Sequence, residues 1–484
     1  MRDALLDPGS WICWDAAITR PLTDGDYARR LTAAAERSGS DEAVSTGEGR
    51  IEGRRIALLI NDFDFMAGSI GMAAADRICA AIRRATRERL PLVASTASGG
   101  TRMQEGTPAF LRMVDIVQAL VEHRADGLLY FVHLRHPTTG GVWASWGSLG
   151  HMTFAEPGAL IGLIGPKVYE QVEKRAFPAG VQVAENLMSH GVIDAVVPID
   201  GLRRVLSITL NLLAERVQPR PLTRSKQPAI LPPSPWEAVQ MTREGDSVSL
   251  SDLLVCCDAV VRLNGTSGAE RVSSVVLALA RIRGTSCVLV GQDREAQLSG
   301  DALGPAAMKI AHRGMMLAES LALPLITVID TPGVELSADA ENRGLAREIA
   351  TCLATISALT VPSVAILLGQ GGGAGAMALF PAARAIATEH SWLAPLPLEG
   401  ASAIQYGDTL HAPEMARSQR IGADELQRQG RVHAIVHRPQ GQSSHDFAAA
   451  ILSEVRWHVD QLGDRAAHPE QTNGEAQLRT ASSP

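Results

Sequence analysis

The sequence lacks most of the features that would settle its chemistry at once. Its six cysteines, Cys13, Cys79, Cys256, Cys257, Cys287 and Cys352, include no C-x-x-C pair. A zinc ribbon needs ligands in tight pairs, so no structural zinc is expected, and the scatter suits reduced thiols in a cytosol. No run of 18 or more apolar residues occurs, which argues against a transmembrane helix. The opening MRDALLDPGSW lacks the basic-then-apolar pattern of a secretory signal, so a cytoplasmic location is expected. The net charge of -7 offers no basic surface for nucleic acid, and an anionic ligand would have to be met by local basic residues. There is no G-x-S-x-G nucleophile elbow and no G-x-x-x-x-G-K-[ST] phosphate loop.

What is present is an ordinary globular balance over 484 residues, 46% hydrophobic and 20% charged, enough for two or three domains. Residues 218–236 carry six prolines, which remove backbone donors and read as a linker. The polar stretch 463–484 reads as a disordered tail, and residues 1–50 as a helical lead-in with a loose segment from Ser38 to Gly49.

The most informative feature is an internal duplication. LPLVASTASGG at 90 matches LPLITVIDTPG at 323, HPTTGGVWAS at 136 matches GQGGGAGAMA at 369, and AEPGAL at 155 matches TEHSWL at 388. Gly100, Gly140 and Glu156 each stand 233 residues before Gly333, Gly373 and Glu389. HGVIDAVV at 190 against QGRVHAIV at 429 extends the match with a six-residue drift, as an insertion would produce. Short β-branched runs, such as IALLIN at 56 and SCVLVG at 286, alternate with helical stretches in both copies. The chain therefore reads as two copies of one parallel α/β domain.

Each copy places glycines at two strand-to-helix turns: Ser98-Gly99-Gly100 and Gly140-Gly141, then Pro332-Gly333 and the Gly371–Gly375 run. Glycine lets the backbone approach a ligand, and a helix start presents unpaired N–H groups. Two such turns aimed at one point make an oxyanion hole for a thioester carbonyl becoming an enolate, each donor contributing on the order of 3 kcal/mol. Tight packing alone is the competing reading of a lone glycine turn; the pairing in both copies favours oxyanion holes. No side-chain nucleophile or base stands out, and Ser98 has no histidine to pair with it.

At TASGGTRMQEG (96–106), HPTTGGVWASWGSLGH (136–151) and AEPGALIGLIGPKV (155–168) the first half closely resembles the β subunit of bacterial acetyl-CoA carboxylase carboxyltransferase. The second half resembles the α subunit at PWEAVQ (235–240), LPLITVIDTPG, Gly371–Ala376 and PLEGASAI (397–404), and the likeness covers roughly residues 25–440. The order is that of a fused acyl-CoA carboxyltransferase. The resemblance implies two tandem crotonase-like β-β-α superhelix domains, residues 1–217 and 237–462, in a homodimer with sites between the first half of one protomer and the second half of its mate. It implies transfer of a carboxyl group from carboxybiotin, held on a biotin carboxyl carrier protein loaded by a biotin carboxylase, to an acyl-CoA. Acetyl-CoA is the first choice of acyl substrate, giving malonyl-CoA, and propionyl-CoA the next. The freed ureido nitrogen then takes the α-proton, which accounts for the missing side-chain base.

On the same resemblance Gly99 and Gly100 would hold the acyl thioester oxygen and Gly375 and Ala376 the biotin ureido oxygen. Gly141 and Gly333 would complete the paired turns by the internal match. Arg54, Arg55 and Lys167 are candidates for the CoA phosphates, with solvated surface charge as the default reading. The family's four-cysteine ribbon is absent, His136-Pro137-Thr138 replaces Asp-Pro-Thr, and Trp143 and Trp146 stand beside the expected acyl pocket, where they either narrow it or pack the helix. Ala307-Met308-Lys309-Ile310 resembles a biotin-attachment site, but it opens a helical stretch where a carrier lysine would sit on a hairpin tip. A malonyl-type decarboxylase on the same fold is the main rival, because the same holes stabilise the same enolate in reverse. Hydration or hydrolysis would need an acidic group such as Glu105 beside the turn, and a degenerate scaffold subunit would not keep its glycines.

Overall fold

In the computed structural model, residues 1–18, 25–214, 234–244, 247–265, 272–439 and 441–467 are described. The chain divides into two compact units, residues 1–211 with 263–271, and residues 212–262 with 272–484. The proline-rich linker falls almost wholly outside the described residues. So does the tail beyond Ala467, the last residue of a helix that begins at Ser444.

The first unit holds the strands β1 (Ile12–Cys13), β2 (Val44–Ile51), β3 (Arg54–Asn61), β4 (Leu92–Ser98), β5 (Tyr130–Thr139), β6 (Met152–Ala155), β7 (Ile161–Gly162) and β8 (Ala195–Val196). They form one sheet in the order β1-β2-β3-β4-β5-β6-β8, with β7 beside β5. The leading hairpin is antiparallel and everything from β3 onward is parallel. Every residue of β4 is buried, as a strand covered on both faces requires. The helix Met72–Arg87 returns the chain from β3 to β4 and lays Ala74, Ile78 and Ile82 on the sheet, completing a core with Leu92, Tyr130 and Val132.

The second unit repeats this plan with β9 (Ala259–Leu263), β10 (Val275–Ile282), β11 (Thr285–Gln292), β12 (Leu325–Thr331), β13 (Ser363–Gly372), β14 (Arg384–Thr388), β15 (Trp392–Ala394) and β16 (Ala434–Val436). The order is β16-β14-β13-β12-β11-β10-β9, with β15 beside β13. Phe447, Ile451 and Val455 of the last helix cover the sheet face formed by Ile326, Val364 and Ile386. The sequence offset survives in the coordinates: β4 and β12, β5 and β13, and the helices Met72–Arg87 and Pro305–Ser320 all keep a spacing of 233 residues at both ends.

One expectation needs correction. Half of the segment read as loose is strand β2, which pairs with β3 from Val44 to Ile51. Its glycines are required by close approach. A side chain at Gly47 would lie 2.4 Å from the Ile12 carbonyl oxygen, and one at Gly49 equally near the Leu6 side chain.

Paired glycine turns as the candidate active site

In a parallel sheet the loops that carry function leave from the carboxyl ends of the strands. In the first unit β4 ends at Ser98, and the chain turns through Gly99 and Gly100, the latter at φ +103°. The Ser98 hydroxyl braces the turn, accepting the Gly100 N–H at 3.1 Å and donating to the Gly68 carbonyl at 2.5 Å. That makes Ser98 a structural brace and removes it as a nucleophile. The neighbouring strand β5 ends at Thr139, and Gly140, at φ +61°, starts the short helix Gly140–Trp143. The two turns touch: a side chain at Gly100 would lie 3.1 Å from the Gly141 nitrogen and 3.3 Å from the Gly140 Cα.

The second unit repeats the brace on the glycine N–H, although the Thr331 hydroxyl also bonds Gln297 Oε1 at 2.6 Å where Ser98 bonds the Gly68 carbonyl. Thr331 stands where Ser98 does, and its hydroxyl accepts the Gly333 N–H at 3.0 Å. Gly373, again at φ +61°, starts the helix Gly373–Met377 as Gly140 starts its own. Beyond each turn the chain forms a one-residue parallel bridge, Ile70 to Thr101 and Leu303 to Val334.

These bonds revise the expected donors. Gly99 gives its N–H to the Ala67 carbonyl at 2.9 Å and Gly100 gives its own to Ser98, so neither amide is available for a substrate oxygen. Gly333 is engaged in the same way. The N–H groups a helix start leaves unpaired lie instead at its first positions. Gly140 donates to the Leu163 carbonyl at 3.1 Å, which leaves Gly141 as the position with a donor to offer in the first unit. Its counterpart at the 233-residue offset is Ala374. Gly375 is third in its helix, packed toward Val334 and Leu303, with its carbonyl accepting Gln292 Nε2 at 2.8 Å. Ala376 is fourth, where the N–H of a regular helix turns back to the cap carbonyl. By the 233-residue offset the position matching Gly141 is Ala374, beside the expected Gly375, and both lie in the first turn of the helix. The signal was present in the sequence, since the offset applied to Gly141 points to Ala374.

Buried charge holds the first turn in place. Arg102, 1% exposed, donates to the Glu42 carboxylate, to the Ser69 carbonyl at 2.7 Å and to Glu105 at 3.3 Å. Burial works against the guanidinium charge, but the Glu42 bonds outweigh it and raise the Arg102 pKa. Glu105 accepts the Met72 N–H at 2.5 Å, capping the helix Met72–Arg87, and also accepts the Tyr27 hydroxyl. Burial and then Glu105 push the Tyr27 phenol up to about 12. Glu105 is thus fully engaged and is not poised as the acid that hydration chemistry would need.

The candidate phosphate ligands do not gather at the turns. Arg54 and Arg55 open β3, at the amino ends of the parallel strands and so at the opposite end from the carboxyl end of β4. Arg55 is taken up by Glu48 and Glu88 at 2.5 Å each, and Arg54 donates to Asn211 at 2.6 Å. This removes the case for both. The side chain of Lys167 lies outside the described residues. Trp146 is fully buried in the core with its carbonyl accepting the Tyr130 hydroxyl at 2.7 Å, while Trp143 packs against that core only in part. Lys309 is exposed within the helix Pro305–Ser320, which does not suit an attachment site. No group of three His, Cys, Asp or Glu suited to a metal occurs among the described residues, and no described helix is long and apolar enough to cross a membrane.

Comparison with known proteins agrees with this architecture. A family model described as the carboxyl transferase domain matches residues 2–471. A probable biotin-dependent acyl-coenzyme A carboxylase beta3 subunit of Mycobacterium tuberculosis is 52% identical over 440 residues, 90% of this chain and 88% of that protein. The acetyl-coenzyme A carboxylase carboxyl transferase subunits beta/alpha of Salinispora arenicola are 37% identical over 470 residues, 92% of this chain and 83% of theirs. Among solved structures, the transcarboxylase 12S hexamer core with methylmalonyl-coenzyme A bound aligns with a TM-score of 0.76 over 96% of this chain and 88% of that one. At 20% identity this shows the fold, two tandem crotonase-like domains.

Proposed function

This chain belongs to the carboxyl transferase family, and from that premise we propose that it transfers a carboxyl group from carboxylated biotin, held on a partner carrier protein, to the α-carbon of an acyl-CoA. The relatives named above as acyl-CoA carboxylase and acetyl-CoA carboxylase subunits support the substrate class. Acetyl-CoA, giving malonyl-CoA, is the first candidate and propionyl-CoA the second. A biotin carboxylase loads the carrier, and the enzyme works in the cytoplasm as a homodimer or larger assembly.

The observation that carries this reading is the repeated turn: a hydroxyl-braced glycine beside a helix start, once in each unit. Gly141 holds the thioester oxygen as the α-carbon loses its proton, and Gly100 keeps the space before that amide clear. Ala374, at the same place in its helix, presents the matching donor in the second unit. A neutral ureido oxygen suits that place, because the donor is a backbone amide and nothing lies within 4 Å of where a side chain at Gly333 would stand. Carboxylated biotin supplies the carboxyl group and, through its ureido nitrogen, the proton acceptor, so no side chain has to act as the base.

The test is conversion of malonyl-CoA to acetyl-CoA by the purified protein with biocytin as carboxyl acceptor. Turnover that requires biocytin and is lost when Ala374 becomes proline supports the reading. Turnover without biocytin replaces it with a decarboxylase. No turnover with malonyl-CoA or methylmalonyl-CoA, even with a biotinylated but uncarboxylated carrier protein as acceptor, overturns it.

A further inference from the structure

Strand β13 does not run straight into its glycine turn. Ile329 pairs with Leu367, but Thr331 pairs with Gly371, so β13 carries two more residues than β12 opposes and bows out at Leu368–Gln370. The Asp330 carboxylate fills the bow. It is 1% exposed, its Oδ1 accepts the Gln370 N–H at 2.9 Å, and a side chain at Gly369 would lie 2.6 Å from the same oxygen. Arg294 Nε stands 3.7 Å from the other oxygen. The remaining Arg294 nitrogens go to the Thr242 carbonyl and the Ser247 hydroxyl. The Thr242 carbonyl also accepts Gln370 Nε2 at 3.1 Å, and the Thr242 hydroxyl accepts Trp392 Nε1 at 2.9 Å. Trp392 opens β15, which pairs with Gln370, Gly371 and Gly372. The grip closes on both flanks of the segment that delivers Gly373 and Ala374.

The first unit has the same slip, Thr96 pairing with Leu134 and Ser98 with Thr138, yet Ala97 stands where Asp330 does. There the Thr138 hydroxyl bridges the Thr96 and Arg135 carbonyls at 3.0 and 2.9 Å. With the His136 N–H on the Glu156 carboxylate at 3.2 Å and Arg135 Nε on the Ser95 hydroxyl at 2.9 Å, that bow folds without a carboxylate at the place of Asp330, where burying one is costly. We propose that Asp330, set against Arg294, is a positioning residue for the second turn, and that its ionised form sets where the Gly373 and Ala374 amides stand. This rests on the reading that the second turn takes the biotin ureido oxygen. Burial pushes the Asp330 carboxyl up to about 6, offset in part by Arg294 and the Gln370 N–H, with Asp293 and Glu295 raising it further. Gln292, Gln297 and Gln370, which also face the segment, carry no charge. Protonation then cancels the attraction for Arg294 inside an accessible pH range.

The experiment measures malonyl-CoA turnover with biocytin from pH 5 to 8, taking kcat and each KM separately. In the native protein kcat/KM for biocytin should fall about threefold from pH 6 to pH 5, on a limb that levels about tenfold below the plateau. Asp330→Asn should lie about tenfold below the native value at pH 7.5 with that acid limb gone, and with KM for malonyl-CoA moved less than about twofold. Arg294→Met should shift the limb to higher pH. A native profile with no limb, a limb that survives in Asp330→Asn, or equal changes in both KM values overturns the proposal. If Asp330→Asn does not fold, the native and Arg294→Met profiles decide. If the native protein shows no biocytin-dependent turnover, the functional reading has failed instead. Hydrogen exchange at Gly371–Ala374 then tests Asp330 directly: a protection step near pH 6 that is absent from the asparagine variant supports the proposal, and no step overturns it.

Discussion

The two copies of the turn provide a matched pair of substitutions, Gly100→Ala and Gly333→Ala. Both glycines have positive φ, +103° and +152°, so alanine at either is strained by about 1–2 kcal/mol. Their surroundings differ. An alanine Cβ at Gly100 would stand 3.1 Å from the Gly141 nitrogen, 3.3 Å from the Gly140 Cα and 3.4 Å from the Thr139 carbonyl oxygen, all backbone atoms that cannot swing aside. At Gly333 nothing lies within 4 Å. Gly333→Ala should therefore show the backbone strain alone. Gly100→Ala should add overlap and should cover the Gly141 amide, removing an oxyanion donor worth about 3 kcal/mol, or roughly a hundredfold in kcat. Thermal unfolding of both variants, with kcat and both KM values from biocytin-dependent malonyl-CoA turnover, separates the terms. Equal losses of kcat in the two variants, or an undiminished kcat in Gly100→Ala, would refute the assignment of Gly141 as the donor.

Arg102→Met removes the cation bonded to the buried Glu42 carboxylate, so it should cost roughly 3–5 kcal/mol in denaturant unfolding, and adding Glu42→Gln should restore most of that; no recovery in the double variant would show that the pair is not the anchor. Ala374→Pro removes one N–H in the first turn of a helix, where proline is tolerated, so melting should change little while biocytin-dependent kcat falls about a hundredfold. Stability should also depend on pH through Asp330. Its folded pKa, near 6, is raised above the usual 3.8, so the folded state binds the proton more tightly. Stability is then greatest below the unfolded value, declines as pH rises from about 4 to 6, and is level above that. Chemical denaturation at pH 4, 5, 6 and 7 should show this slope in the native protein and lose its Asp330 component in Asp330→Asn.

The duplication was legible because a constant offset between glycines, Gly100 to Gly333 and Gly140 to Gly373, is a pattern of spacing and needs no contact information. The α/β class was legible in the buried strands, whose runs such as Leu92–Ala94 and Leu325–Val328 are too apolar for any other layer. Which amides are free was not. That Gly99 donates to Ala67 and Gly100 to Ser98 depends on where the Ala67–Gly68 segment comes to rest, thirty residues earlier in the chain. Arg54 and Arg55 are engaged elsewhere for a related reason: their place at the start of a strand was readable, but their partners, Asn211 for Arg54 and Glu48 and Glu88 for Arg55, come from other elements. A lone aspartate before a glycine turn, as Asp330 is in the sequence, reads as a turn residue until the register slip of β13 shows what it fills.

The residue two places after each first turn differs in sign. Arg102 occupies this place in the first unit and Glu335 in the second, and both give their backbone N–H to the carbonyl across the bridge, at 2.9 and 3.1 Å. Glu335 answers to Arg343 at 3.9 Å, on its own side of the turn, whereas Arg102 answers to Glu42 from the segment before β2. The duplicated halves have thus stopped being spare parts for one another. Carrying Ile70–Glu105 into the second copy would bring a guanidinium to a position where Ser273 replaces Glu42, and the reverse graft would set two carboxylates face to face. Once that reversal was in place, recombination between the two halves would carry a folding penalty, and each copy was held to a separate course.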